Sequence, residues 1–136
     1  MTATKRTALA RAMAVAATVL AGSLAWAAEA DRIEAGEAKA LFEKGQAVMV
    51  DVRGKDAYDM SHVDGALSMP LMELDAHLAQ LPKDKMIVTY CTCSAEATSG
   101  AAVGKLKQAG FSKVAALKGG LAAWQAAGGK VTALPH

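Results

Sequence analysis

The sequence predicts an α/β domain built on a mostly parallel sheet. Short apolar runs of strand length recur along the chain, and stretches of helical period separate them. Glycine and proline fall at the junctions between the two kinds of segment. The 136 residues leave room for one domain.

The first thirty residues do not belong to that alternation. Lys5, Arg6 and Arg11 are followed by a short apolar run, Ala12 to Gly22, and then by small residues around Trp26. This is the layout of a secretory signal peptide, with Ala25-Trp26-Ala27 fitting the small-x-small cleavage rule. The run falls short of the about 20 apolar residues that span a bilayer. Residues 1–27 are therefore expected to be a signal peptide and residues 28–136 the folded domain. Export to a bacterial periplasm is expected, with no membrane span after cleavage.

Within the domain, Ile33 sits in a short extended stretch. Glu34 to Lys44 has helical character and stops at Gly45. Ala47 to Val52 is a continuous apolar run, as expected for a strand covered on both faces. Lys55 to Ser61 reads as a helical turn, and Ala66 to Met69 as a short strand closed by Pro70. Leu71 to Leu81 is amphipathic, with Leu71, Leu74, Leu78 and Leu81 on one face, and Pro82 ends it. Met86 to Tyr90 is a buried strand running straight into Cys91. Glu96 to Ala109 is a helix stopped by Gly110. Lys113 to Leu117 is the last strand. Gly119-Gly120 turns into a short helix, Leu121 to Ala127, which carries Trp124. Gly128 to His136 is expected to fray.

Composition excludes a nucleic-acid partner. Fifteen basic residues face thirteen acidic ones, and removing Lys5, Arg6 and Arg11 leaves twelve against thirteen. Aromatic residues are too sparse to provide stacking platforms for bases.

The chemistry is expected at Cys91. A cysteine at the carboxyl end of a parallel strand, followed by a loop and a helix start, lies where open α/β sheets form sites. Backbone N–H groups of the loop, from Thr92 to Ala97, and the helix N-terminus would hold an anion there. The same donors favour the thiolate, the nucleophilic form of cysteine, and would hold a persulfide equally well. The alternative is a buried, inert cysteine. A second cysteine, Cys93, follows in a polar loop with Ser94, Ala95 and Glu96, which predicts that both are exposed. Thr92, Ser94 and Thr98 would donate to an anion or simply cap the helix. Arg53, at the end of an earlier strand, could supply a cation or form a structural ion pair, with Asp51 beside it. His62 reads as a structural hydrogen bonder, His77 as solvated and His136 as part of the tail.

Three segments resemble the rhodanese-like family. Val50-Asp51-Val52-Arg53 is similar to its first strand end. Tyr58-Asp59-Met60-Ser61-His62-Val63-Asp64-Gly65-Ala66, continued by Met69-Pro70-Leu71, resembles its second signature. Val114-Ala115-Ala116-Leu117-Lys118-Gly119-Gly120-Leu121-Ala122-Ala123-Trp124 resembles its closing one. The resemblance implies an open parallel five-stranded sheet with helices on both faces. It also implies a sulfurtransferase that carries sulfane sulfur as a persulfide on Cys91, with a small sulfur-containing donor and a thiol or a protein as acceptor. No cofactor and no metal follow from it.

The active loop departs from the common family pattern. Ser94 stands where a glycine is usual and Glu96 where an arginine is usual. Cys91-Thr92-Cys93 with Glu96 and Thr98-Ser99 resembles a Cys-x-Cys subset. A carboxylate in place of a guanidinium repels anions such as thiosulfate, so weak thiosulfate activity is expected. The missing arginine also argues against a phosphatase. Two alternatives stay open: a binding module without turnover, and a thiol–disulfide protein using Cys91 and Cys93. A soft-metal site at the cysteine pair is a weaker third, because no histidine or further cysteine lies nearby in sequence.

Overall fold

The computed structural model describes residues 31–92 and 97–134. The expected signal peptide, residues 1–27, lies outside the described residues.

Among the described residues, seven strands and five helices follow in the order β1 (Arg32–Ile33), α1 (Ala35–Glu43), β2 (Ala47–Asp51), α2 (Lys55–Met60), β3 (His62–Val63), β4 (Leu67–Ser68), a 3-10 helix (Leu71–Gln80), β5 (Met86–Tyr90), α3 (Ala97–Gln108), β6 (Val114–Leu117), α4 (Gly120–Ala126) and β7 (Val131–Thr132). Five of the strands form one sheet in the order β1-β6-β5-β2-β4, and every pairing in it is parallel. The five-stranded parallel sheet is thus as expected.

Strand alternation divides the core into two layers. Ala47 and Met49 of β2, Val88 and Tyr90 of β5, and Ala115 and Leu117 of β6 face α1 and α4, where Ala38, Leu121 and Trp124 meet them. Val50 of β2, Ile87 of β5 and Val114 and Ala116 of β6 face the other way. There they pack on Leu74 and Leu81 from the segment of the 3-10 helix, and on Ala102, Val103 and Leu106 of α3. The strands are apolar on both sides because helices cover both faces.

Two expectations are corrected. Leu71–Gln80 is a 3-10 helix and not an α-helix. Leu74 and Leu81 of its predicted apolar face are nonetheless buried. The tail does not fray at residues 131–132: β7 pairs antiparallel with β3, His62 opposite Thr132 and Val63 opposite Val131. Its anchor is non-local. Trp124 Nε1 donates to the carbonyl of Lys130 at 2.9 Å, and the Leu134 amide donates to Asp59 at 2.9 Å. A Cβ on Gly129 would come within 2.2 Å of Trp124 Nε1, so only glycine lets the tail pass the indole. Trp124 itself is buried edge-to-face against Phe42.

Candidate active site

The sheet order places a switch point between β2 and β5. From the carboxyl end of β2 the chain moves outward to β4; from that of β5 it moves the opposite way to β6. Loops leaving in opposite directions open a crevice above the two strand ends. Asp51 and Arg53 stand at the end of β2, and Cys91 follows β5 directly.

Cys91 has the side-chain direction of Ile87 and belongs to the layer formed with α3. It is 3% exposed, packed in the cluster that contains Val50, Val52, Met69, Leu74 and Ala102. Its expected exposure is corrected: the polar loop suggested an open thiol, but alternation along β5 turns the side chain beneath α3. Its Sγ lies 3.8 Å from Oγ of Ser99, a fully buried residue in the first turn of α3. Thr89, also fully buried, donates its hydroxyl to the Ser99 carbonyl at 2.9 Å.

Backbone contacts fix Cys91 from the α4 side. The Leu121 amide donates to the Cys91 carbonyl at 3.1 Å. Gly120 has φ +60°, and a Cβ there would lie 2.1 Å from that same carbonyl oxygen. The Gly119-Gly120 pair thus lets the start of α4 close on the backbone of Cys91, a contact that requires both a left-handed residue and no side chain.

Arg53 faces elsewhere. Its Nε donates to both carboxylate oxygens of Asp51, at 2.9 and 3.1 Å, and its Nη2 reaches Oδ2 at 2.5 Å. Nη2 also donates to the Ser61 carbonyl, and the guanidinium sits 5.8 Å from the centre of the Tyr90 ring. The hydrogen bond to Asp51, opposed in part by burial, raises the Arg53 pKa above its ordinary value. Tyr90 points to the face opposite Cys91, so the ion pair is built on that opposite face.

The same network continues outward. Burial, reinforced by the Asp51 carboxylate, pushes the Tyr90 phenol well above its usual range. Its oxygen accepts the Val63 amide at 2.9 Å. Tyr58 donates to the Ala66 carbonyl at 2.7 Å and stacks on His62, with ring centres 3.6 Å apart. His62 Nδ1 lies 2.6 Å from the Tyr58 carbonyl; a carbonyl only accepts, so this nitrogen carries the hydrogen. His62 is thus a structural hydrogen bonder, as its turn suggested.

Of the other expected site residues, Thr92 follows Cys91 and is exposed, and Ala97 opens α3 and is exposed. Cys93, Ser94, Ala95 and Glu96 lie outside the described residues. The structure therefore brings Cys91, Thr92 and the start of α3 to one strand end and directs Arg53 across the sheet. Sequence reasoning gave no role to Thr89. The two-residue period of β5, which puts Thr89 on the face of Cys91, is the signal that points to it. Two surface clefts lined by described residues lie away from Cys91. One is bordered by Phe42, Trp124 and Lys130, the other by Gln46, Asp84 and Lys113.

An open, doubly covered parallel sheet with a cysteine at the strand end beside its switch point defines the molecule as an α/β protein of the cysteine strand-loop-helix type. The comparisons make this specific. A family model described as the rhodanese-like domain matches residues 34–127, and the chain belongs to that family. It is 35% identical over 109 residues to a probable adenylyltransferase/sulfurtransferase, MoeZ, of Mycobacterium tuberculosis, covering 78% of this chain and 27% of that protein. It is 32% identical over 90 residues to the thiosulfate sulfurtransferase GlpE of Coxiella burnetii, covering 66% and 82%. The crystal structure of the Alr3790 protein from Anabaena matches with TM-score 0.69 and 34% identity, over 76% of this chain and 94% of that one. The chain thus spans about a quarter of the adenylyltransferase/sulfurtransferase relative and most of the thiosulfate sulfurtransferase.

Proposed function

We propose that this protein is a sulfurtransferase that carries sulfane sulfur on Cys91. The observation that supports the reading best is the position of Cys91 at the switch point of a rhodanese-like sheet. The Cys91 thiolate attacks the outer sulfur of a thiosulfate-class donor, the donor S–S bond breaks, and sulfite leaves with the electron pair. A thiolate acceptor then attacks the terminal sulfur of the persulfide and Cys91 departs as thiolate, so no net oxidation is needed. Backbone amides from Thr92 to Ala97, including those of Ser94, Ala95 and Glu96, hold the persulfide. Cys93 is an internal resolving thiol: its attack on the Cys91 sulfur releases the outer sulfur as hydrosulfide and leaves a Cys91–Cys93 disulfide. Export to the periplasm remains part of the proposal and fits the signal-like residues 1–27.

Exposure of the chain to thiosulfate, a small persulfide and a mercaptopyruvate-type donor, followed by intact-mass analysis, tests the reading. The expected result is a gain of one sulfur atom that disappears in Cys91→Ala. Absence of the adduct with all three donors would overturn it. Glu96→Arg is expected to raise thiosulfate reactivity by relieving anion repulsion. Burial of Cys91 favours a second reading, a domain that binds a partner without turnover, and that reading predicts no adduct with any donor.

A further inference from the structure

We infer that Ser99 is the side-chain hydrogen-bond donor that stabilises the ionised sulfur of Cys91, and that Thr89 is the positioning residue that holds Ser99 in place. The inference deepens the sulfur-carrier reading and rests on Cys91 being the nucleophile.

The buried polar side chains among the described residues are Asp51, His62, Thr89 and Ser99. Asp51 is engaged with Arg53 and His62 with Tyr58, both on the face opposite Cys91. Thr89 and Ser99 lie on the same side as the sulfur, which packs with Val50, Val52, Met69 and Ala102. Apolar surroundings of that kind favour the neutral thiol. A neighbouring hydroxyl opposes them, because it serves both protonation states. Towards the thiol it accepts the S–H, and towards a thiolate a hydroxyl is also able to donate. Donation to the charged form is the stronger of the two and shortens the contact, so the 3.8 Å separation has room to tighten when Cys91 ionises.

The geometry at Ser99 is fixed from both ends of one β-strand face. Thr89 and Cys91 are two residues apart and point the same way. Thr89 grips the carbonyl of Ser99 and the Cys91 sulfur faces its hydroxyl. Thr89 therefore sets the height of the first turn of α3 over β5, and with it the distance from hydroxyl to sulfur. Among the described residues, the Asp51–Arg53 pair lies across the sheet from the sulfur.

The test is the pH-dependent ultraviolet absorbance of the thiolate in the full chain, with the Cys91→Ala spectrum subtracted. The midpoint is expected to rise by about one unit in Ser99→Ala, a roughly tenfold loss of thiolate below the midpoint. Thr89→Val is expected to raise it less, in the same direction, with the hydroxyl of Ser99 still present. Circular dichroism establishes that each variant is folded; if Ser99→Ala does not fold, Thr89→Val decides. An unmoved midpoint in the folded variants overturns the inference, as does the absence of any Cys91 ionisation step in the unaltered protein. Because no sulfur donor is present, the result is separate from the adduct test. A shifted midpoint without an adduct removes the sulfur-carrier reading alone, and an adduct with an unmoved midpoint removes this one alone.

Discussion

The two faces of the sheet treat their polar groups in opposite ways. On the face of α1 and α4, Asp51, Arg53, Tyr90, Tyr58 and His62 form a network whose members are held by one another or by backbone amides and carbonyls. On the face of α3, Cys91 sits among aliphatic side chains with the hydroxyls of Thr89 and Ser99 beneath the first turn of a helix. The first face uses charge for structure, because a fully buried carboxylate requires a partner. The second, among the described residues, surrounds Cys91 with aliphatic side chains and hydroxyls. Side-chain alternation along β2 and β5 enforces the separation, since neighbouring residues cannot point to the same side.

The seam between the faces is the most sensitive point. Gly120→Ala forces a Cβ against the Cys91 carbonyl at a left-handed position. A loss of about 4 kcal/mol or more is expected in urea unfolding, and a near-normal midpoint would show that α4 can retreat from Cys91 without harm.

Arg53→Ala probes the charged face next. It strands the buried Asp51 carboxylate and should cost about 3 kcal/mol, with little change in the ionisation of Cys91 on the other side. A large shift of that ionisation would mean that the faces communicate.

Tyr90→Phe is expected to be milder, about 2 kcal/mol, from the Val63 amide left without its acceptor. It also carries a pH signature. The folded phenol ionises later than the unfolded one, so its contribution is intact below pH about 10 and is lost as pH rises above that value. The unaltered protein should therefore lose stability in strong alkali more steeply than Tyr90→Phe, as thermal melts across that range would read.

The smallest effect expected is a gain. Gly100 in α3 is exposed, and a Cβ there meets nothing within 4 Å. Gly100→Ala should stabilise the helix by about 0.5–1 kcal/mol, and a destabilised variant would reveal a demand on this helix beyond propensity.

The sequence made the strands legible because a strand covered by helices on both sides is apolar at most positions, as in Ala47 to Val52 and Met86 to Tyr90. It made helix ends legible where Gly45, Pro82 and Gly110 stop them. The position of Cys91 after a strand was equally local. The fate of the last residues was not: the tail is polar, and its order comes from the Trp124 bond to Lys130 and the pairing of Val131–Thr132 with His62–Val63. Exposure of Cys91 was misjudged because loop polarity describes the loop, whereas the side chain follows the strand.

By itself, then, the sequence determined which segments would form the five-stranded sheet, that helices would alternate with them, and that a cysteine would end a central strand. Periodicity, helix breakers and apolar run length act within a few residues of each other. Tertiary structure alone decided that Arg53 would turn to Asp51 and Ser61, that Ser99 would meet the sulfur, and that the Val63 amide would find the Tyr90 oxygen twenty-seven residues away. Those choices depend on which strands lie side by side and which face each side chain takes, and only closure of the sheet between its two helical layers sets both.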